Sequence, residues 1–233
     1  MTMLRLLPVI ELTPGAIARR YAGERACPTT DAPNEAWDAW FLACLRDGGI
    51  EGLRPFRSRG WWIATEQWTA PATIERLVEA HVDEAPTLSA AVAAPALWHC
   101  FAGGFVLFDD ERILVEPSCC VDLGNLEEWR AALAATDGEW RMLWVGHPWH
   151  FTRRDGSTLQ ISPRTEANEP TSLAVEHTVD AAQLAVAIER AQDEVDRFTE
   201  RLRAVLARHT SDPAIATQLA QILVAAATPD ETP

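Results

Sequence analysis

The sequence lacks lysine: all 20 of its basic residues are arginine, against 34 acidic residues in a chain of 233. Without lysine there is no P-loop of the ATPase or GTPase type, because that loop needs a lysine to hold the nucleotide phosphates. The acidic excess gives a net charge of −14, which repels nucleic-acid backbones and anionic lipid surfaces. We therefore expect neither nucleic acid nor a membrane among the partners. The lack of lysine beside abundant Ala, Arg and Pro also indicates a GC-rich bacterial genome.

Long apolar runs are lacking as well. A membrane-spanning helix needs about 20 consecutive apolar residues, and no segment of this chain is that long. The N-terminal stretch MTMLRLLPVIEL is interrupted by Pro8 and closed by Glu11, which makes a poor signal peptide. The cysteines are odd in number and have no repeating spacing: Cys27, Cys44, Cys100, Cys119 and Cys120. This pattern predicts a cytoplasmic protein with reduced thiols.

The N-terminal part of the chain combines a strand with helices. RLLPVIEL is typical of a short buried strand, and we expect it to end at a turn formed by Pro14-Gly15. Asn34 or Asp31 is placed to cap a helix over EAWDAWFLACLRD, which ends at Gly48-Gly49. Residues that recur at helical spacing predict an inward face of this helix: Trp37, Trp40, Phe41, Cys44 and Leu45.

Two further helices and a hairpin are predicted next. The helices cover residues 73–82 and 86–101, and the second is broken before Pro95. The hydrophobic period then changes from helical to alternating. GGFVLFDDERILVEP has two apolar runs separated by DDER, which predicts a β-hairpin with an acidic tip.

The segment from 125 to 162 predicts a helix followed by three strands. NLEEWRAALAA has apolar residues at helical spacing, with Asn125 in the position of an N-cap. The strands are WRMLWVG, WHFTRR and STLQIS. The last two are joined by Asp155-Gly156, a strong signal for a two-residue hairpin turn.

The C-terminal third has a heptad pattern that predicts one long helix over residues 180–208. Its apolar positions are spaced 4-3-4-3-4-3: Leu184, Ile188, Ala191, Val195, Phe198, Leu202 and Val205. Ser211 or Asp212 is placed to cap a second helix that has Pro213 in its first turn. We expect the two helices to form a hairpin packed on the rest of the protein. The alternative is a coiled-coil seam that makes a homodimer through residues 180–208.

These elements define the predicted fold class. We expect an α+β protein with N-terminal helices, a central, mostly antiparallel sheet of about five strands between residues 104 and 162, and a C-terminal helical hairpin. The predicted domains are an α+β domain over residues 1–165 and the helical hairpin over residues 178–228.

One group of residues in the central third has the chemistry of a reactive site. A nucleophile at Cys119 or Cys120, with His147 as base and Asp122 as orienting group, is possible, and His150 adds another metal ligand. The spacing argues against it, because adjacent cysteines in an extended chain point to opposite faces. We therefore predict no catalytic residues, no metal and no cofactor. A thiol/histidine enzyme or a metal-binding protein using these residues is the alternative.

Ten tryptophans in 233 residues are the most unusual feature of the composition. Most are expected in the core, but exposed tryptophan beside acidic residues is typical of a protein-binding hot spot. Trp68 is included with Trp61 and Trp62 as a candidate for exposure. The predicted partner-binding residues are Asp109, Asp110, Glu111, Glu127, Glu128, Trp61, Trp62 and Trp149.

Three segments within residues 95–165 together resemble the SUKH superfamily. They are GGFVLFDDERILVEP, the leucine-plus-acidic helix DLGNLEEWRAAL, and WRMLWVGHPWHFTRRDGSTLQIS. The resemblance implies a non-enzymatic α+β protein, often a bacterial immunity protein that covers a toxin. The expected function is thus binding of another protein, here a basic toxin domain, by steric occlusion. A structural or oligomeric module built on residues 180–208 is a further alternative.

Overall fold

A computed structural model describes residues 3–82, 84–94, 97–110, 112–135, 138–168 and 173–225. The strands are β1 (Leu4–Glu11), β2 (Trp62–Ala64), β3 (Gly103–Asp109), β4 (Arg112–Val115), β5 (Arg141–Leu143), β6 (His150–Asp155), β7 (Thr158–Ile161) and β8 (His177–Asp180). The α-helices are α1 (Pro14–Tyr21), α2 (Asn34–Asp47), α3 (Pro71–His81), α4 (Leu88–Val92), α5 (Leu126–Ala134), α6 (Ala181–Leu206) and α7 (Pro213–Val224). The α+β class and the C-terminal helical pair are confirmed.

The strands form two antiparallel sheets of four, in the orders β2-β1-β3-β4 and β5-β6-β7-β8. All five strands predicted between residues 104 and 162 exist, but they are divided between these sheets. The N-terminal strand β1 pairs beside β3, so β3 and β4 belong to one sheet. The other three strands continue into β8, which the sequence pattern did not reveal, and so form the second sheet.

The chain divides into two compact units. The first unit contains residues up to Val9 and residues 102–195, and the second contains residues 10–101 and those from Asp196 onward. β1 and α6 are each continuous and contribute residues to both units. The predicted division into residues 1–165 and 178–228 stays a prediction.

Both predicted hairpins are confirmed. β3 and β4 pair antiparallel around a turn in which Asp110 has a φ of 53°. β6 and β7 pair around Gly156, whose φ of 58° is the left-handed conformation that glycine adopts without steric strain. The Asp-Gly signal therefore identified the hairpin, but Asp155 pairs with Thr158, so the two turn residues are Gly156 and Ser157 and the turn lies one residue later than predicted.

One predicted turn and one predicted helix cap are wrong. Pro14-Gly15 does not close β1 with a turn but begins α1, because proline's fixed φ suits the first turn of a helix. α2 has Pro33 at its N-cap, and no side chain caps it. Asn34 already lies inside α2 as its first residue, so neither Asn34 nor Asp31 has the predicted capping role. The helix predicted over residues 86–101 is shortened to α4, and Pro95 lies outside the described residues.

Asn125 precedes α5 as predicted but does not cap it. Its backbone is helical, and its side-chain amide donates to the carbonyl oxygen of Trp144 over 2.5 Å. The cap of this region is Asp122, whose carboxylate accepts from the backbone N–H of Gly124 over 2.7 Å. A short 3-10 turn at Leu123–Asn125 places the cap three residues earlier than the sequence suggested. At α7, Asp212 accepts from the N–H of Ala214 and is the predicted cap.

The heptad residues of α6 are all buried within the single chain: Leu184, Ile188, Ala191, Val195, Phe198, Leu202 and Val205. The long helix is therefore confirmed, but its apolar seam is already covered. The homodimer through residues 180–208 stays a prediction.

Candidate binding site

The loops that carry Cys119 and His147 meet in the first unit. These two residues form an isolated antiparallel bridge, and the thiol of Cys119 donates to the carbonyl oxygen of His147 at 3.7 Å. The backbone N–H of Ser118 also donates to the carbonyl of Val145 over 2.7 Å. Gly146 has a φ of 97°, and a Cβ placed there would lie 2.3 Å from the carbonyl oxygen of Cys119. The close approach of two backbones therefore explains this contact without any side-chain chemistry.

His150 and Asp122 have other partners: Asp122 accepts from the N–H of Gly124 and does not orient His147. His150 is buried, and its Nδ1 lies 2.7 Å from the carbonyl oxygen of Ser162, whereas His147 is exposed. Burial lowers the pKa of His150. The pKa of Cys120 is raised, chiefly by its hydrogen bond with Cys119, which is the opposite of what a thiolate nucleophile requires. Within the described residues, no group of three or more His, Cys, Asp or Glu side chains is placed to hold a metal ion.

The predicted acidic residues have local partners. Asp109 lies 3.5 Å from Arg112 across the hairpin, and the carboxylate of Asp110 accepts from the backbone N–H of Met3 over 2.9 Å. On α5, Glu127 pairs with Arg130 over 2.5 Å while its side chain remains 73% exposed. Glu128 is half-buried. Glu111 lies outside the described residues.

The three tryptophans named as candidates for exposure (Trp61, Trp62 and Trp68) and the predicted partner-binding residue Trp149 differ in burial. Trp149 is 6% exposed and Trp68 is 0% exposed, so neither presents an indole at the surface. The ring of Trp149 is buried in the first unit beside Trp144, and its role in binding a partner stays a prediction. Trp61 and Trp62 are half-buried, so part of each side chain remains accessible.

Trp61 is the centre of an aromatic group in the second unit, which we call the tryptophan cluster (Trp37, Trp40 and Trp61). Its ring centroid lies 5.8 Å from that of Trp37 and 5.8 Å from that of Trp40, both in edge-to-face geometry. Phe41 stacks on Trp61 at 6.1 Å. Spacings of three and four residues on α2 place Trp37, Trp40 and Phe41 on one face, and the backbone N–H of Leu12 donates to the carbonyl of Trp61 over 2.8 Å. Contacts among the protein's own residues therefore hold the cluster together.

A cavity of about 730 Å³ opens beside this cluster, and we call it the aromatic cavity. Two indoles and four charged side chains line it: Trp40, Trp61, Glu11, Arg19, Glu24 and Arg25. A second cavity of about 290 Å³, the adjoining cavity, shares Glu11, Thr13 and Arg19 with it and extends to His81 and Phe101. Volumes of about 300–1,000 Å³ with aromatic walls and a few polar groups are typical of ligand sites.

The charged side chains that line the aromatic cavity differ in whether they have an ion-pair partner. Arg25 is held by Asp47, with Nε 2.7 Å from Oδ2 and Nη2 2.8 Å from Oδ1. Among the described residues, by contrast, neither the Glu11 carboxylate nor the Arg19 guanidinium forms a hydrogen bond or an ion pair. Glu11 is half-buried, and loss of hydration raises its pKa. The cavity therefore contains a carboxylate that lacks a counter-ion.

Sequence reasoning named Trp61 as a site residue but missed the rest of the cavity. Trp40 was assigned to an inward helix face, although Phe41, Cys44 and Leu45 are the residues of that face that are buried. The one available signal was Glu11, a charged residue that ends an apolar strand directly before α1.

No family model matches the chain, and no curated protein or solved structure gives a significant match. Among the described helices, none combines the length and apolar character needed to cross a bilayer.

Proposed function

We propose that this chain is a non-enzymatic binding protein whose ligand is another protein, engaged at the aromatic cavity. The observation that carries the proposal is the half-buried tryptophan cluster, two of whose indoles, Trp40 and Trp61, line that cavity. Its rings already contact one another at 5.8–6.0 Å, so little side-chain freedom is lost when a partner binds. Such rigid, partly buried aromatic residues are typical hot spots, where truncation costs about 2 kcal/mol or more of binding energy.

Immunity to a basic toxin is the most concrete form of this function. The net charge of −14 would accelerate encounter with a basic partner, and the SUKH-like segments point to the same class of protein. Asp109, Asp110, Glu127 and Glu128 belong to the first unit and would act at long range. In this proposal the acids increase the association rate, whereas the tryptophan cluster supplies the short-range contacts. Occlusion of the toxin surface would then be steric.

A thiol/histidine protein remains the second candidate because the structure does bring Cys119 and His147 together. Both are exposed, so a reagent would reach them. The raised pKa of Cys120 argues against a reactive pair of thiols. Rates of alkylation of Cys119 and Cys120 at several pH values distinguish the two candidate functions. A rate well above that of a model thiol would favour a thiol/histidine protein over a protein-binding one.

The test of protein binding uses the products of genes adjacent to the one that encodes this chain. Each product is coexpressed with the tagged chain, and copurification is measured with wild type and with W61A. Trp62→Ala is the matched control, because Trp62 is also half-buried but does not line the cavity. We expect a basic domain to copurify in a complex that W61A weakens by about thirtyfold or more and that W62A largely preserves. Absence of any complex, or a complex insensitive to W61A, contradicts the proposal.

A further inference from the structure

The Glu11 carboxylate has no protein partner among the described residues. It lies at the end of β1 on the wall of the aromatic cavity, is half-buried, and forms no hydrogen bond or ion pair with the described residues. A carboxylate that has lost part of its hydration is stabilised by a nearby cation or by N–H donors. A cationic group that enters the cavity would supply both the charge and the donors.

The two indoles on the same wall favour a cation for a second reason. The faces of Trp40 and Trp61 carry negative electrostatic potential and attract guanidinium or ammonium groups within about 6 Å. The Nε1 of Trp40 is buried without a partner among the described residues, so the part of this indole at the cavity does not include its polar N–H. A carboxylate beside indole carbon surface has the chemistry of a cation site.

The arginines on the cavity wall do not neutralise its carboxylates. The charged side chains on the cavity wall are Glu11, Glu24, Arg19 and Arg25. Asp47 neutralises Arg25 through two hydrogen bonds. Arg19 is exposed and lies beyond ion-pair distance of Glu11. Because Asp47 neutralises Arg25, the remaining charged side chains on the wall are two carboxylates and one guanidinium. Their net charge is negative.

We propose that the aromatic cavity binds an arginine side chain of the partner protein, with Glu11 as its counter-ion and Trp40 and Trp61 as its stacking surfaces. This inference rests on the proposed function and specifies the chemistry of the inserted group. Arginine fits better than lysine because a planar guanidinium can stack on an indole and still donate two hydrogen bonds to a carboxylate. The overall negative charge is complementary to a partner that presents basic residues.

The test measures calorimetric binding of two capped amino acids to the full chain. N-acetyl-L-arginine methylamide carries the guanidinium, and N-acetyl-L-citrulline methylamide is its neutral isostere. We expect wild type to bind the arginine probe about tenfold more tightly than the citrulline probe. E11Q should abolish this preference. E24Q is the matched control, since it removes one negative charge from the same cavity at an exposed position and should change affinity by less than about threefold.

Several outcomes would overturn the inference. Equal affinity for the two probes, or no binding of either at millimolar concentration, excludes a guanidinium site. Equal losses in E11Q and E24Q indicate general electrostatics without a specific counter-ion. Tighter binding of free L-arginine than of the capped probe assigns the cavity to a free amino acid, with Arg19 as the carboxylate partner. If E11Q keeps full affinity for a partner that W61A loses, this inference fails while the proposed function stands.

Discussion

Arg25 and Asp47 form a bidentate ion pair, with Nε to Oδ2 at 2.7 Å and Nη2 to Oδ1 at 2.8 Å. The pair joins the loop after α1 to the last residue of α2, next to the aromatic cavity. Both side chains are partly exposed, at 41% and 21%, so the pair contributes little to stability. Its larger effect is electrostatic, because it neutralises one of the two arginines on the cavity wall.

Substitution of Asp47 by Asn tests this role. We expect D47N to lower the free energy of unfolding by less than about 1 kcal/mol, because solvent screens a partly exposed pair. The freed positive charge of Arg25 should nevertheless weaken binding of the capped arginine probe by about threefold or more. Calorimetry on D47N and on the double variant R25Q/D47N checks this, since the double variant should recover affinity. A double variant as weak as D47N would contradict the electrostatic explanation.

We expect Glu11 to make the stability of the folded chain depend on pH. Its pKa is raised above the ordinary value of 4.5 by burial, so the folded chain binds this proton more tightly than the unfolded chain. The protonated Glu11 carboxyl therefore favours the folded state at low pH. This contribution to the free energy of unfolding is lost as the pH rises from 4.5 through the higher pKa of the folded state. We expect E11Q to be more stable than wild type at neutral pH, by less than about 1 kcal/mol because half of the group keeps its water.

Urea unfolding of wild type and E11Q across the acidic to neutral range checks this prediction. The stability difference should shrink as the pH falls below 4.5, where both chains carry a neutral side chain. E24Q is the control, because Glu24 is exposed and its replacement should leave stability nearly unchanged. An E11Q variant that is less stable than wild type at neutral pH would show that Glu11 has a stabilising partner.

Asn125 is predicted to be important for stability in the first unit. It is 8% exposed, and its amide donates to the carbonyl of Trp144 over 2.5 Å. N125D keeps the shape but removes the donor and places a charge in the interior, so we expect a loss of about 1–3 kcal/mol or more. Thermal or urea unfolding measures it. The control is N34D on exposed Asn34, where an acid in the first turn of α2 should be neutral or slightly stabilising. Equal effects of both substitutions would contradict this role.

Gly146 should be the glycine most sensitive to alanine in the contact between the Cys119 and His147 loops. An added Cβ would lie 2.3 Å from the backbone oxygen of Cys119, and the φ of 97° disfavours any L side chain. We expect G146A to lose about 2 kcal/mol or more. G156A separates the effect of the positive φ from that of the steric clash, because Gly156 has a φ of 58° but open space around it. We expect G156A to lower the free energy of unfolding by about 1 kcal/mol. Equal losses of unfolding free energy in G146A and G156A would mean that the close approach of Gly146 to Cys119 does not contribute.

Local sequence patterns predicted much of the fold. The heptads of α6 and the Asp-Gly turn before β7 depend on periodicity and on backbone preference, which are properties of neighbouring residues. Where a polar residue had two possible partners, the prediction failed. Asn125 had the right position for a cap but bonded instead to Trp144, because that distant carbonyl was available in the folded chain.

The aromatic cavity was not predictable by the same means. Glu11, Arg19, Trp40 and Trp61 come from a strand, a helix, a second helix and a loop, and no spacing rule connects them. Tryptophan abundance drew attention to Trp61 but could not separate it from Trp149, which is buried. Burial of a single indole depends on tertiary packing, which composition does not encode.

Glu11, Thr13 and Arg19 border both the aromatic cavity and the adjoining one. A molecule in the smaller chamber would therefore contact three residues that also border the larger one. Any effect that it has on binding in the larger chamber must be matched, by thermodynamic reciprocity, by an equal effect in the other direction.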